Sequence, residues 1–150
     1  LRVYINKDLK TKIESSVNKM LKAEDKFGIK KYKTYQEFGK KVYQIKKNIV
    51  KNLKNLKNNN NLVIGYGAPA KATTALNFFG IKKEIDFIAE DNKLKHNKFI
   101  PGVKIPIKNK SKIKNSKNTM IVLAWNFFKD IKKNNSKLSD NFINIKDLEH

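Results

Sequence analysis

The stretch Gly65-Tyr66-Gly67-Ala68-Pro69-Ala70-Lys71 constrains this chain more than any other segment. It follows the apolar run Leu62-Val63-Ile64 directly and precedes a helix-forming segment that ends at Gly80. A G-x-G-x-x-A pattern between a strand and a helix is the setting of a dinucleotide- or phosphate-binding turn. Gly65 is expected to permit the tight turn and Gly67 to let the backbone approach a ligand. Pro69 suits the first helical turn, where its missing N–H would have no partner anyway. The free amides and dipole of such a helix point at an anion. Lys71 in the first turn opposes that dipole unless negative charge is bound beside it. The residues alone leave two readings open: an anion or nucleotide site, and a close turn that needs small residues for packing.

The rest of the chain alternates in a way that suits this turn. Residues 2–5 (Arg-Val-Tyr-Ile) read as a strand remnant. Leu9, Ile13, Val17, Met20 and Leu21 recur at helical spacing, predicting a helix over 9–27 that stops at Gly28. Thr34-Tyr35-Gln36-Glu37 has the spacing of a capping box. From there Phe38, Val42, Ile45, Ile49, Leu53 and Leu56 mark one long amphipathic helix over 34–57. The polar run Lys57 to Asn61 breaks it. Strands are then expected at 62–66, 85–89, 105–107, 119–124 and 142–145, with helices at 69–79 and 127–133. That order implies an α/β, Rossmann-like fold with a mainly parallel sheet flanked by helices. The two N-terminal helices would precede and pack on it.

Three further groups fall at the expected carboxyl ends of strands, where open α/β sheets bind ligands. Glu90-Asp91-Asn92 follows the second strand 25 residues after Gly65. An acid there accepts a ribose hydroxyl, or serves as a solvated loop carboxylate or cap. Lys93 to Gly102 is a basic loop containing Lys95, His96, Pro101 and Gly102. A lone histidine such as His96 is more often a bystander than a catalyst. Trp125 walls a sugar or base pocket, or packs in the core, and Asn126 is placed to cap the helix that follows. Absent are a Ser/His/Asp series, a metal-ligand cluster and a Walker-type loop. The pattern is that of a ligand-holding domain without its own catalytic residues. A stand-alone nicotinamide-dinucleotide-binding module is the alternative.

Charge does not redirect this reading. The 150 residues carry 34 bases against 13 acids, a formal +21, but Arg2 is the only arginine. Lysine, asparagine and isoleucine together are what AT-rich coding produces, and the bases are spread evenly along the chain. A nucleic-acid face clusters its charge and recruits arginine for bidentate contacts, so nucleic acid is not expected as a partner. No apolar run is long enough for a membrane span. The lack of cysteine excludes disulfides and thiolate metal sites and fits a reducing, cytoplasmic compartment. The chain opens at Leu1 and closes Leu148-Glu149-His150, which looks like the start of a purification tail. It is therefore read as a piece of a longer protein: a strand remnant and helical region over 1–60, a ligand-binding domain over 61–147, and a vector-derived tail over 148–150.

These blocks also resemble a known family. Leu1-Arg-Val-Tyr-Ile5 looks like the end of the strand that closes the methyltransferase core in sugar C-methyltransferases. Gly65 to Lys71, Asp91-Asn92, Lys95-His96-Asn97-Lys98, Ile100-Pro101-Gly102, Ile105-Pro106-Ile107 and Leu123 to Phe127 resemble successive blocks of that family's C-terminal domain. The chain departs from the family's Asn-Pro-x-Lys-Gln-Gly at Asn92 to Asn97, and has Ala72 after the motif lysine where glycine is common. The resemblance implies a Rossmann-like domain that helps anchor a nucleotide-diphosphate deoxysugar, typically a dTDP-sugar. It places S-adenosylmethionine and zinc, with the catalytic base, in upstream domains of the same polypeptide, and implies that this piece holds no cofactor or metal and is inactive alone. Substrate contacts are then expected from Gly65, Tyr66, Gly67, Ala68, Pro69, Lys71, Asp91, Asn92, Lys95, His96, Pro101, Gly102, Trp125 and Asn126.

Overall fold

The computed structural model describes residues 2–8, 10–58, 62–114 and 116–150. Leu9 and the three asparagines of the expected linker, 59–61, lie outside the described residues. The chain divides into two compact units, Leu1–Lys41 and Val42–His150.

In the first unit residues 2–8 form no strand. A single extended segment is not stable without a ladder partner for its N–H and C=O groups. Helix α1 spans Ser15–Phe27 and stops at Gly28, whose φ of 82° is the left-handed cap that glycine adopts most easily. It begins six residues later than expected, and none of its residues is buried. Val17, Met20 and Leu21 are all about half exposed, so their spacing does not mark a core face. Helix α2 spans Tyr32–Asn58. Thr34 is therefore inside it, not its cap: the hydroxyl donates to the Gly28 carbonyl at 2.8 Å, across the turn joining the two helices. Phe38, expected in the apolar stripe, is 66% exposed.

The second unit is built on five strands. β1 is Val63–Tyr66, β2 Phe87–Glu90, β3 Ile107–Asn109, β4 Thr119–Val122 and β5 Asn141–Asn144. The order is β3-β2-β1-β4-β5 and every pairing is parallel. This is the doubly wound arrangement, in which the chain returns to the sheet centre between β1 and β4 and opens its crevice there. Short β-branched runs supply β1 and β4, as a sheet covered on both faces requires. The third strand starts at Ile107, because Pro106 has no N–H for the ladder; its carbonyl accepts the Ile88 N–H at 2.8 Å and it bridges Phe99.

Side chains alternate across the sheet with a period of two. On one face Ile88, Ile121 and Leu123 pack with Ile49 and Leu53 of α2 and with Leu76 of helix α3 (Ala70–Phe79). On the other, Ile64, Tyr66, Phe87, Ala89 and Met120 meet Ile131 of helix α4 (Phe128–Asn134). The apolar stripe of α2 thus reaches the core only through its second half. Leu148 is also buried in this core, and Asn52 donates its amide to the Leu148 carbonyl at 3.0 Å. Leu148 is thus part of the packing, while His150 is exposed.

One polar contact ties α2 to the start of β1. Lys57 Nζ lies 2.6 Å from both carboxylate oxygens of Asp86, one of which also accepts the Val63 N–H at 2.9 Å. Asp86→Ala leaves that amide and a half-buried ammonium without their acceptor. Losing hydrogen bonds to a charged group should cost about 1–3 kcal/mol in denaturant unfolding. A loss within error would show that water replaces the carboxylate fully.

Candidate functional site

The turn after β1 divides its two glycines between different jobs. Gly65 is not in the turn: it sits in β1, opposite Ile88 on one side and Ile121 on the other. A Cβ there would lie 2.4 Å from Ile88 Cδ1 and 3.0 Å from Leu123 Cδ1, so the glycine is needed for packing. The turn itself is made by Gly67, with φ of 86° and only 3.1 Å between its missing Cβ and that of Ala124. Sequence reasoning gave the turn to Gly65, because a motif shows spacing and not which glycine lies under a neighbouring strand. Pro69 takes the N-cap position of α3, one residue before the helix.

Not every amide of the turn is open. The Gly67 N–H donates to the Ala89 carbonyl at 2.9 Å, and the Ala68 N–H donates to Glu90 Oε2 at 2.8 Å. Among the described residues, the amides of Ala70 and Lys71 are left as the unclaimed donors of the first turn. The Lys71 ammonium lies 4.1 Å from the centre of the Trp125 ring, at the start of the segment after β4. A cation over the face of an indole is held there by the ring quadrupole. Lys71 and Trp125 therefore meet where β1 and β4 diverge, with Trp125 half-buried against the core behind them. Asn126 caps nothing. The cap positions of the 125–127 turn and of α4 are Ala124 and Phe127, with no side-chain bond at either.

Glu90 and its neighbours brace the turn from the end of β2. The second carboxylate oxygen of Glu90 accepts the Asn92 N–H at 3.0 Å. Lys95 donates to the Ala68 carbonyl at 2.9 Å and lies 3.5 Å from Glu90. His96 Nε2 donates to the Glu90 carbonyl at 2.7 Å, which makes Nε2 the protonated nitrogen. Asn92 caps the short turn 93–95 by accepting the Leu94 N–H. Pro101 and Gly102 stand apart from this group: Asn77, near the far end of α3, donates to the Pro101 carbonyl at 2.8 Å. A helix rise of about 1.5 Å per residue separates Asn77 from Ala70 by roughly 10 Å.

A second network lies on the α4 face of the sheet. Buried Tyr66 donates to Asp91 at 2.7 Å, with Asn135 Oδ1 at 3.2 Å. Lys110 pairs with Asp91 at 2.8 Å and reaches Asn135 at 3.3 Å. Sequence reasoning missed Lys110 and Asn135, since nothing local marks them; they meet only because residues just past the ends of β3 and α4 reach Tyr66 and Asp91. A cleft of about 490 Å³ opens next to them.

The charges follow from these contacts. Burial pushes the Tyr66 phenol above its ordinary range, and the Asp91 carboxylate adds to the effect. Burial also raises the Glu90 carboxyl, but the Asn92 and Ala68 amides and Lys95 outweigh it and hold it below its ordinary value. Asp91 is likewise lowered, burial being outweighed by Lys110 and Tyr66. A carboxylate depressed by folding stabilises above its unfolded pKa, and the gain disappears as pH falls through the folded value. Glu90→Gln is therefore expected to lower Tm at pH 7, with the gap to the parent protein narrowing as acidification passes below the ordinary glutamate range. A gap constant with pH would mean that Glu90 is not held by charge.

Among the described residues no group of three or more His, Asp or Glu side chains is arranged to hold a metal, and no helix is long and apolar enough to cross a membrane. Comparison with known proteins agrees with the geometry. The family model described as the C-methyltransferase C-terminal domain matches residues 1–144. The C-methyltransferase NovU of Streptomyces niveus is 29% identical over 131 residues, which cover 86% of this chain and 31% of that protein. The chain thus spans about a third of the length of the curated relative it matches. With a parallel Rossmann-like sheet and a family match along nearly all of its length, the chain belongs to the C-methyltransferase C-terminal domain family.

Proposed function

We propose that this chain anchors a nucleotide-diphosphate sugar for an S-adenosylmethionine-dependent C-methyltransferase domain of the same polypeptide, and transfers no methyl group itself. The observation that carries this reading is the Lys71 ammonium held over Trp125 beside the open Ala70 and Lys71 amides. Donors and a cation converge there on the crevice between β1 and β4, the arrangement that suits a diphosphate. Glu90, Lys95 and His96 hold the shape of the turn in this reading, and Asp91 and Asn92 support its rim.

The residues do not fit S-adenosylmethionine or a nicotinamide dinucleotide equally well. Such sites use a free acid at the end of the second strand to accept ribose hydroxyls. Here Glu90 already accepts two backbone amides, and Asp91 is taken up by Tyr66 and Lys110. The methyl donor is therefore assigned to the upstream domain that the family implies.

Lys71→Glu should weaken dTDP binding at least 10-fold by calorimetry, because it sets a like charge beside the phosphates. Lys83→Glu, with the same change in net charge on an exposed residue at the amino end of β2, should change it less than twofold. Equal losses from the two variants would show that affinity follows overall charge and not this crevice.

A further inference from the structure

We propose that the groove between α2 and the last residue of α3 docks an acidic amphipathic helix of a partner protein. The groove measures about 600 Å³ and is lined along α2 from Tyr43 to Asn58, with Phe79 of α3 beside it. Lys47, Val50, Lys51 and Lys54 follow Tyr43 at steps that keep them on one side of the helix. At about 1.5 Å per residue the stripe is roughly 22 Å long, the length of about four turns of a facing helix.

Charge selects the partner. Among the described residues, every charged group that lines the groove is a lysine. Lys46 is already engaged: its ammonium lies 5.0 Å from the centre of the Phe78 ring, which Tyr43 meets at 6.1 Å. Lys47, Lys51 and Lys54 are exposed, and none of them is in an ion pair among the described residues. Lys57, Lys95 and Lys110 in the same unit behave differently, each pairing with a carboxylate. Residues 38–58 contain seven lysines and no acid, so α2 cannot supply the missing partners itself. Like charges four and three residues apart, as at Lys47, Lys51 and Lys54, repel along a helix. Carboxylates at the same spacing on a facing helix cancel that repulsion.

The apolar part of the groove favours a protein helix over other anions. Val50 and Phe79 are half-buried and carry no charge, which gives an aliphatic side chain of the partner a place to bury. A phosphate backbone makes no use of such a surface, and the groove has no arginine for bidentate phosphate contacts. A bilayer takes up an exposed apolar face, whereas here the lysines are exposed and Val50 and Phe79 are not. A second copy would set these lysines against themselves, since a two-fold contact repeats one patch on both sides. The groove is separate from the β1–β4 crevice: Phe79 and Ala70 stand at opposite ends of α3, roughly 14 Å apart. The inference therefore does not rest on the anchoring reading.

The probe is a fluorescent 18-residue peptide with glutamates and leucines at helical spacing, set against a shuffled peptide of the same composition. Anisotropy is read at about 0.15 M salt, where long-range attraction is largely screened. The unmodified chain should bind the helical peptide about 10-fold more tightly than the shuffled one, since only the first presents both faces together. Lys47→Glu with Lys51→Glu should weaken binding about 10-fold or more, because like charges then face each other. Lys112→Glu with Lys117→Glu makes the same change in net charge on exposed residues before β4, and should weaken it less than about twofold. Val50→Ser should weaken it about threefold or more by removing apolar contact, with no change in charge. All four substituted lysines are exposed, so both double variants should melt close to the parent chain. No peptide binding, equal binding of the shuffled peptide, or equal losses from the two double variants would each overturn the docking site. Duplex DNA, or vesicles of phosphatidylserine and phosphatidylcholine, bound more tightly than the peptide and lost on Lys47→Glu with Lys51→Glu, would overturn the choice of a protein helix.

Discussion

Leu53→Ala is expected to destabilise the second unit by about 2–5 kcal/mol, the range for truncating a buried leucine to alanine. Leu53 has no exposed surface and, with Ile49, brings the second half of α2 into the core of one sheet face. Truncation loses the transfer free energy of the removed carbons and leaves a void the rigid sheet cannot close. Roughly 2–8 °C of Tm accompanies each kcal/mol in domains near this size, so the change is readable in a single melt. Phe38→Ala, on the same helix but exposed, should change Tm by no more than a degree or two. Similar losses at the two positions would show that the whole apolar stripe of α2 is buried in solution.

The second large effect is expected at Gly65. Overpacking a close-fitted core typically costs about 1–3 kcal/mol, and Gly65→Val should sit at or beyond the top of that range. The first added carbon already meets Ile88 Cδ1 at 2.4 Å and Leu123 Cδ1 at 3.0 Å. Neither side chain has exposed surface, so neither can retreat without moving a neighbour. Gly67→Ala acts differently. Its penalty is the left-handed backbone, about 1–2 kcal/mol for a residue with a Cβ, together with a 3.1 Å approach to Ala124. It should therefore perturb the turn and ligand binding more than the melting temperature, whereas Gly65→Val should do the reverse. Equal effects on stability and binding at both positions would show that both glycines serve the turn.

The strands were legible because each is a short apolar run closed by glycine, proline or asparagine, and the parallel order followed from the helices between them. Their ends were less so. Asp86 reads as part of the second strand but lies before it, because its carboxylate turns to Lys57 and Val63 N, partners 29 and 23 residues away. Helical spacing was equally ambiguous in the first 41 residues. Val17, Met20 and Leu21 have the period of a core face and are not buried, since periodicity records which side chains share a side and not what covers it.

The order of residues along the chain is enough to place a strand, a glycine turn and a helix in succession at residues 63–79, to make the sheet parallel, and to show which family the chain resembles. These are local properties: chain stiffness, the freedom of glycine, and the number of residues needed to cross back over a sheet. The folded chain alone shows that Gly65 is there for packing, that Glu90 closes on the Ala68 amide, that Lys71 lies over Trp125, and that Tyr66, Asp91, Lys110 and Asn135 form one network. Each of those joins residues 19 or more positions apart, from segments that meet only when the strands align. Hydrogen bonds and ring contacts depend on fractions of an ångström, and no pattern along a single chain carries that distance.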